Sequence, residues 1–193
     1  MNWLIIVFIG LASNIDNFAV GLNYGIRGKR ISTAANVLIA AIGFFMSFVA
    51  LLAGQTLGTA LPDAFTTLCG GLIIIAIGVW SLADSLRSHP AAPVPDADTV
   101  DRDANNIIAF NEAFVLGIAL SVNAAGTSFG AGVSRLSPLD VASLVAIFSF
   151  VTIACGQLCG LCGIGSRFGK ASEYAAALLL IAIGCLSIFF PEL

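Results

Sequence analysis

Charge is scarce in this sequence. Only 10% of the 193 residues are charged, against about 25% in an ordinary soluble domain. Histidine is reduced to one residue, His89, and there is no glycine-rich phosphate loop, Walker sequence or nucleophile elbow. Phosphoryl transfer and serine-type hydrolysis therefore lack the residues that would carry them. Intramembrane aspartyl chemistry needs two facing carboxylates, and Asp63 and Asp84 both fall at the ends of apolar segments. The chain is not expected to be an enzyme or to hold a cofactor.

Apolar residues fill the space, 59% of the chain. Six long apolar segments can be read, at about 3–24, 34–58, 65–86, 110–134, 139–162 and 171–190. Each is near the ~20 residues that a membrane-spanning helix requires. The expected fold is an all-α membrane protein of six transmembrane helices. The first segment is read as a retained helix, because no basic residue precedes it, no small-residue cleavage site ends it, and it is too long for a signal peptide.

Basic residues set the expected topology. Arg27, Lys29 and Arg30 lie in the first connection, Arg87 and Arg102 in the third, Arg135 in the fourth, and Arg167 and Lys170 in the fifth. Alternate connections share a side, so the split is seven basic residues against one. The positive-inside rule then makes the seven cytoplasmic and places both termini outside, in a multi-pass protein of the cell inner (plasma) membrane. The third connection is rich in Pro, Ala and Asp, and residues 87–109 are expected to form a flexible cytoplasmic linker. A second reading makes its Asp96, Asp98, Asp101 and Asp103 a collector of cations.

A duplication is visible across that linker. Ser13-Asn14-Ile15-Asp16-Asn17 recurs as Leu120-Ser121-Val122-Asn123-Ala124, Gly54-Gln55 recurs as Gly156-Gln157, and Ile75-Ala76-Ile77-Gly78 recurs as Ile181-Ala182-Ile183-Gly184. Residues 1–86 and 110–193 thus read as two three-helix repeats. Three spans is an odd number, so the second unit enters the membrane from the opposite side. The repeats are inverted, an arrangement found in many secondary transporters whose binding site lies near the midplane.

Asp16 stands in the middle of the first segment, where a carboxylate costs ~2.5 kcal/mol or more even on lenient insertion scales. Its equivalent in the second half is Asn123. Asn14, Asn17, Ser121 and Thr127 lie close to the pair in sequence or one turn along. One carboxylate among amide and hydroxyl oxygens is a hard donor set, suited to Mg²⁺, Ca²⁺ or Mn²⁺. Asp16 paired with Asn123 as interhelical glue is the plainer alternative, but Asn or Ser would serve there at lower cost. A carboxylate adds charge and a titratable proton, which permits exchange of a cation for H⁺. Cys155, Cys159 and Cys162 share a helical face and could be a soft-metal stripe, yet no His or acid stands beside them, and small-residue packing is the favoured reading.

The stretches "SNIDNFAVGLNYGIRGKRI" and "LGIALSVNAAGTSFGAGVSRLSP" resemble the six-helix membrane proteins of the MntP manganese-exporter and YtaF sporulation-protein group, distantly related to LysE-type exporters. The resemblance implies divalent cation efflux with Mn²⁺ as leading substrate. It places the family's first-helix aspartate on Asp16 and its fourth-helix aspartate on Asn123, a departure from the usual acid. The second helix, where MntP-type members tend to carry an acid, has Asn36, Ser47 and Gln55 as its polar residues. Expected partners are the bilayer, a divalent cation and a proton counter-ion, with no nucleic acid and with a homo-oligomer left open. The rival functions are an exporter of a small cationic or zwitterionic metabolite and a non-transporting membrane scaffold.

Overall fold

A computed structural model describes residues 3–86, 97–101, 106–163, 174, 177–183, 185 and 188. Its elements in chain order are α1 (Trp3–Ala12), α2 (Ile15–Ile26), β1 (Arg30–Ile31), α3 (Thr33–Ala60), α4 (Asp63–Leu86), α5 (Ala97–Val100), β2 (Ile107–Ile108), α6 (Phe110–Val133) and α7 (Pro138–Leu161). The molecule is a helical, multi-pass membrane protein. Among the described residues four helical stretches are long and apolar enough to span: Trp3–Ile26, Thr33–Ala60, Glu112–Val133 and Pro138–Leu161. α4 carries a shorter apolar run, Leu68–Ala83. The sixth expected span lies largely outside the described residues, although positions 177–183 are helical, and Ala177 and Ile181 pack on Gly78 of α4.

The first span is not one helix, as the run of apolar residues suggested. It breaks at Ser13-Asn14, between α1 and α2. Both side chains compete for backbone carbonyls: Ser13 Oγ donates to Ile9 O at 2.7 Å and Asn14 Nδ2 to Gly10 O at 2.8 Å. Asn14 thereby supplies a donor to Gly10 O near the end of α1, while Ile9 O, which already accepts from Ser13 N at 2.9 Å, gains a second one.

The numbering of contacts gives the helix directions. Gly10 lies against Leu144 and Phe148, Gly21 against Ile153 and Gln157, and Gly25 against Gln157 and Gly160, so α1–α2 runs parallel to α7. Gly43 lies near Ser121, Gly54 against Phe129 and Val133, and Gly58 against Val133, so α3 runs parallel to α6. Residues 134–137 turn α6 back into α7. α2 and α6, which carry Asp16 and Asn123, are therefore antiparallel.

The two connections that follow these helices repeat one another bond for bond. Gly28 and Arg135 both take the left-handed conformation, at φ 75° and 59°. Lys29 N donates to Tyr24 O as Leu136 N does to Ala131 O, and Gly28 N donates to Gly25 O as Arg135 N does to Gly132 O. These are the paired bonds of a helix C-terminal turn with a left-handed residue just beyond it. The Gly-Gln pairs act reciprocally: Gln55 Nε2 donates to Leu136 O at 3.0 Å, and Gln157 Oε1 accepts from Ile31 N at 2.6 Å. Each half's second helix fastens the other half's first connection.

The third connection is not wholly without structure. β2 pairs in parallel with β1, Arg30 opposite Ile107 and Ile31 opposite Ile108. This places the first and third connections on one side, as alternate connections should be. Ala97, Val100 and Ile108 are buried with Val20, Tyr24, Ile31, Leu116 and Leu120. Asp101 is not a surface collector of cations; it is buried and bonded to Lys29 Nζ at 2.7 Å. Composition pointed to disorder because the apolar groove that receives this segment belongs to α2, α3 and α6. Asp96 and Asp103 lie outside the described residues.

In lipid, helices associate through close packing more than through the hydrophobic effect. A Cβ at Gly156 would meet Phe18 O, and one at Gly54 would meet Phe129 O, both backbone atoms that cannot turn aside. Gly156→Ala and Gly54→Ala should each destabilise the protein by about 1–3 kcal/mol in thermal unfolding in detergent. Leu158→Ala, on a face left exposed to lipid, should change stability by no more than about 0.5 kcal/mol.

Candidate cation site

Asp16 falls in the first turn of α2, immediately after the break. The unpaired N–H groups and positive dipole end of a helix favour negative charge, offsetting part of the cost of a carboxylate at this depth. Asn17 N donates to Asp16 Oδ1 at 3.0 Å, and Asn123 Nδ2 of α6 donates to Asp16 Oδ2 at 3.1 Å. The pair expected from the duplication is thus joined across the antiparallel helices. Both residues are only partly buried, so neither is sealed in a core.

Behind Asp16 stands a second polar group. Asn17 Nδ2 donates to Asn14 Oδ1 at 3.0 Å and to Ser149 Oγ of α7 at 3.2 Å. Asn14 Nδ2 donates also to Val145 O at 3.1 Å. Asn14 therefore has both amide groups engaged and ties the helix break to α7. Asn17 is buried to 2% exposure, yet its Oδ1 has no hydrogen-bond partner among the described residues. A buried amide oxygen without a partner is costly, and this one belongs to the residue next to the carboxylate.

The remaining expected residues lie elsewhere on α6. Ser121 Oγ donates to Gly117 O at 2.6 Å and lies toward Gly43 of α3. Thr127 Oγ1 donates to the carbonyl of Asn123 at 3.1 Å, one turn beyond the pair. Among the described residues no group of three or more His, Cys, Asp or Glu side chains could hold a metal. Cys155 and Cys162 are exposed and Cys159 half-buried, on a helix that faces α2 and α3 with its other side.

Sequence reasoning missed Ser149. Its signal was present: Ser47-Phe48-Val49 stands seven residues before Gly54 as Ser149-Phe150-Val151 stands before Gly156, extending the repeated Gly-Gln pair. The halves differ at this point. Asn17 bonds to Ser149, whereas its equivalent opposite Ser47 is Ala124, and Ser47 Oγ is buried without a partner among the described residues. The polar cluster is built in one copy only.

Residues 1–82 match the family model described as "Putative manganese efflux pump". The chain is 28% identical to "Probable sporulation protein YtaF" of Bacillus subtilis (strain 168), over 95% of this chain and 98% of that protein. It is 25% identical to "Putative manganese efflux pump MntP" of Methanobrevibacter smithii, over 93% of this chain and 92% of the relative. The protein of the same description from Methanocorpusculum labreanum is 32% identical over 44% of each chain. The chain is thus similar to proteins of the MntP/YtaF group, over nearly its whole length at 25–28% identity and over its first part by the family model. The matched region of the family model contains α1, α2 and α3, and with them Asp16 and the helix break. No solved structure matches this chain.

Asn14→Ala would leave Gly10 O and Val145 O without their side-chain donor. The expected cost is about 1–3 kcal/mol in thermal unfolding.

Proposed function

We propose that this protein is a secondary transporter that exports a divalent cation, with Mn²⁺ as leading substrate, by alternating access. The observation that carries the reading is Asp16, a carboxylate at a helix break in mid-span, bonded to Asn123 on an antiparallel helix and adjacent to the unpartnered oxygen of Asn17. Intramembrane carboxylates mark ion and proton pathways, and discontinuous helices near the midplane build the binding sites of many transporters. The descriptions of the relatives support metal export. In this reading Asp16 is the anionic ligand, Asn123 and Asn17 supply neutral oxygens, and Asn14, Ser121 and Thr127 complete the polar surroundings. When the cation leaves, Asp16 takes up a proton, giving cation–proton exchange.

The six spans form two inverted repeats in this reading. The reciprocal packing of α2 on α7 and of α3 on α6, with the repeated connections, supports it. Rocking one pair against the other would open the space between α2 and α6 to each side in turn.

Asp16→Asn keeps shape and hydrogen bonding while removing the charge. Mn²⁺ binding in calorimetric titration should weaken more than about 30-fold, the equivalent of one charge-assisted contact of about 2 kcal/mol. Unchanged affinity would sink the reading and leave Asp16 as packing glue, while binding of lysine in place of Mn²⁺ would move the site to a metabolite exporter. Asn123→Asp adds a second anionic ligand and should tighten Mn²⁺ binding.

The orientation proposed is that of the basic connections in the cytoplasm. Cysteine at Ile107, exposed beside Arg30, should be shielded from a membrane-impermeant thiol reagent in intact cells, and cysteine at Thr59, at the other end of α3, should label readily. The reverse pattern would invert the topology.

A further inference from the structure

α2 packs on α7 and α6 on α3, and neither packs along the other. The bond between Asp16 and Asn123 bridges the space between them. On the side of residues 27–32, α5 packs against α6. Ala97 and Val100 are buried among Val20 and Tyr24 of α2 and Leu116 and Leu120 of α6. Val20 lies one turn along α2 from Asp16, and Leu120 one turn before Asn123. α5 thus belongs to the buried cluster that begins one turn from Asp16 and Asn123, on the side of the basic connections.

A helical turn of four residues does not hold its place through its own propensity. It is fastened through the residues that follow it. Asp101, next after α5, accepts from Lys29 Nζ at 2.7 Å and from Asn106 N at 3.1 Å, and its side chain is fully buried. Arg30 N donates to Asn106 O at 2.8 Å and Ser32 N to Ile108 O at 3.2 Å, extending the β1–β2 pairing. A buried ion pair is a poor source of net stability, because desolvating its two charges offsets their attraction. Its better use is to fix one arrangement over others, and both charges regain water when the arrangement opens.

We infer that α5, latched by the Lys29–Asp101 ion pair and the β1–β2 pairing, is a plug that closes the Asp16–Asn123 site toward the first connection and must swing out for a cation to pass. Ala97 and Val100 present small side chains to the groove, so withdrawal exposes little apolar surface. The purpose of the plug rests on the reading of Asp16 as a cation site, whereas the closure is testable without any cation.

The test places one reporter thiol, Leu120→Cys, in a full-length protein whose five native cysteines are replaced by alanine. The protein is reconstituted in lipid nanodiscs without added metal, and its reaction rate with a water-soluble maleimide is measured. Asp101→Asn should raise that rate about tenfold, and the exchanged pair Lys29→Asp with Asp101→Lys should bring it back down. Equal rates with and without the Asp101 charge would overturn the plug. So would an equal rise at a second reporter, Ile9→Cys, in the separate cluster around α1, since that would mean general loosening. Should Asp101→Asn not fold, Arg30→Cys with Ile107→Cys, opposite one another in the strand pair, locks the segment without removing Asp101 or Lys29. Oxidation of that pair should slow maleimide labelling of Leu120→Cys further and stop Mn²⁺ flux, both reversed by reduction. Flux that continues through the oxidised form would overturn the plug. Absence of Mn²⁺ flux in every form would count against the Mn²⁺ reading alone, with the labelling rates still deciding the plug.

Discussion

Inside a bilayer no water answers a backbone group that loses its partner, and the architecture around Asp16 follows from that constraint. Interrupting a spanning helix leaves carbonyls at one end and N–H groups at the other. Ser13 and Asn14 return donors to Ile9 and Gly10, so that α1 can stop in mid-span. The freed N–H end of α2 then offers a place where a carboxylate is tolerated. Asp16 and the helix break are one device, in which the polar residues that end α1 make the acid next to them affordable.

The duplication was legible because the repeated residues play the same local parts in both halves. Gly-Gln marked the second helix of each half, and each glutamine secures the opposite half's connection. Asp16 was legible as an acid in an apolar run, and Asn123 as its repeat equivalent. The break at Ser13-Asn14 was not. Hydropathy measures how apolar a stretch is and is blind to whether its hydrogen bonds continue, so Trp3–Ile26 still reads as one span. Ser149 escaped because its part depends on α2 running parallel to α7, a tertiary fact. Asp101 was misread for a similar reason: its segment lacks bulk, but the groove that takes it is lined by three other helices.

The halves share a scaffold and differ in polarity. Where the first copy places Asn14 and Asn17, the second places Ser121 and Ala124, and Ser47 is left without the partner that Ser149 has. The close glycine contacts at Gly21, Gly25, Gly54 and Gly58 keep the two helix pairs alike in shape. Chemistry could therefore concentrate on one side of the pseudo-symmetric pair without disturbing the packing of the other. A single carboxylate facing an amide is the outcome.

The reciprocal glutamines also bear on how the chain is made. Ile31 N is answered by Gln157, 126 residues further along, and Leu136 O by Gln55, which is 81 residues earlier. During synthesis Ile31 N cannot reach this partner before Gln157 has been made. The second half finds its glutamine already waiting. Neither connection can hold its full set of bonds until both halves of the chain have been made.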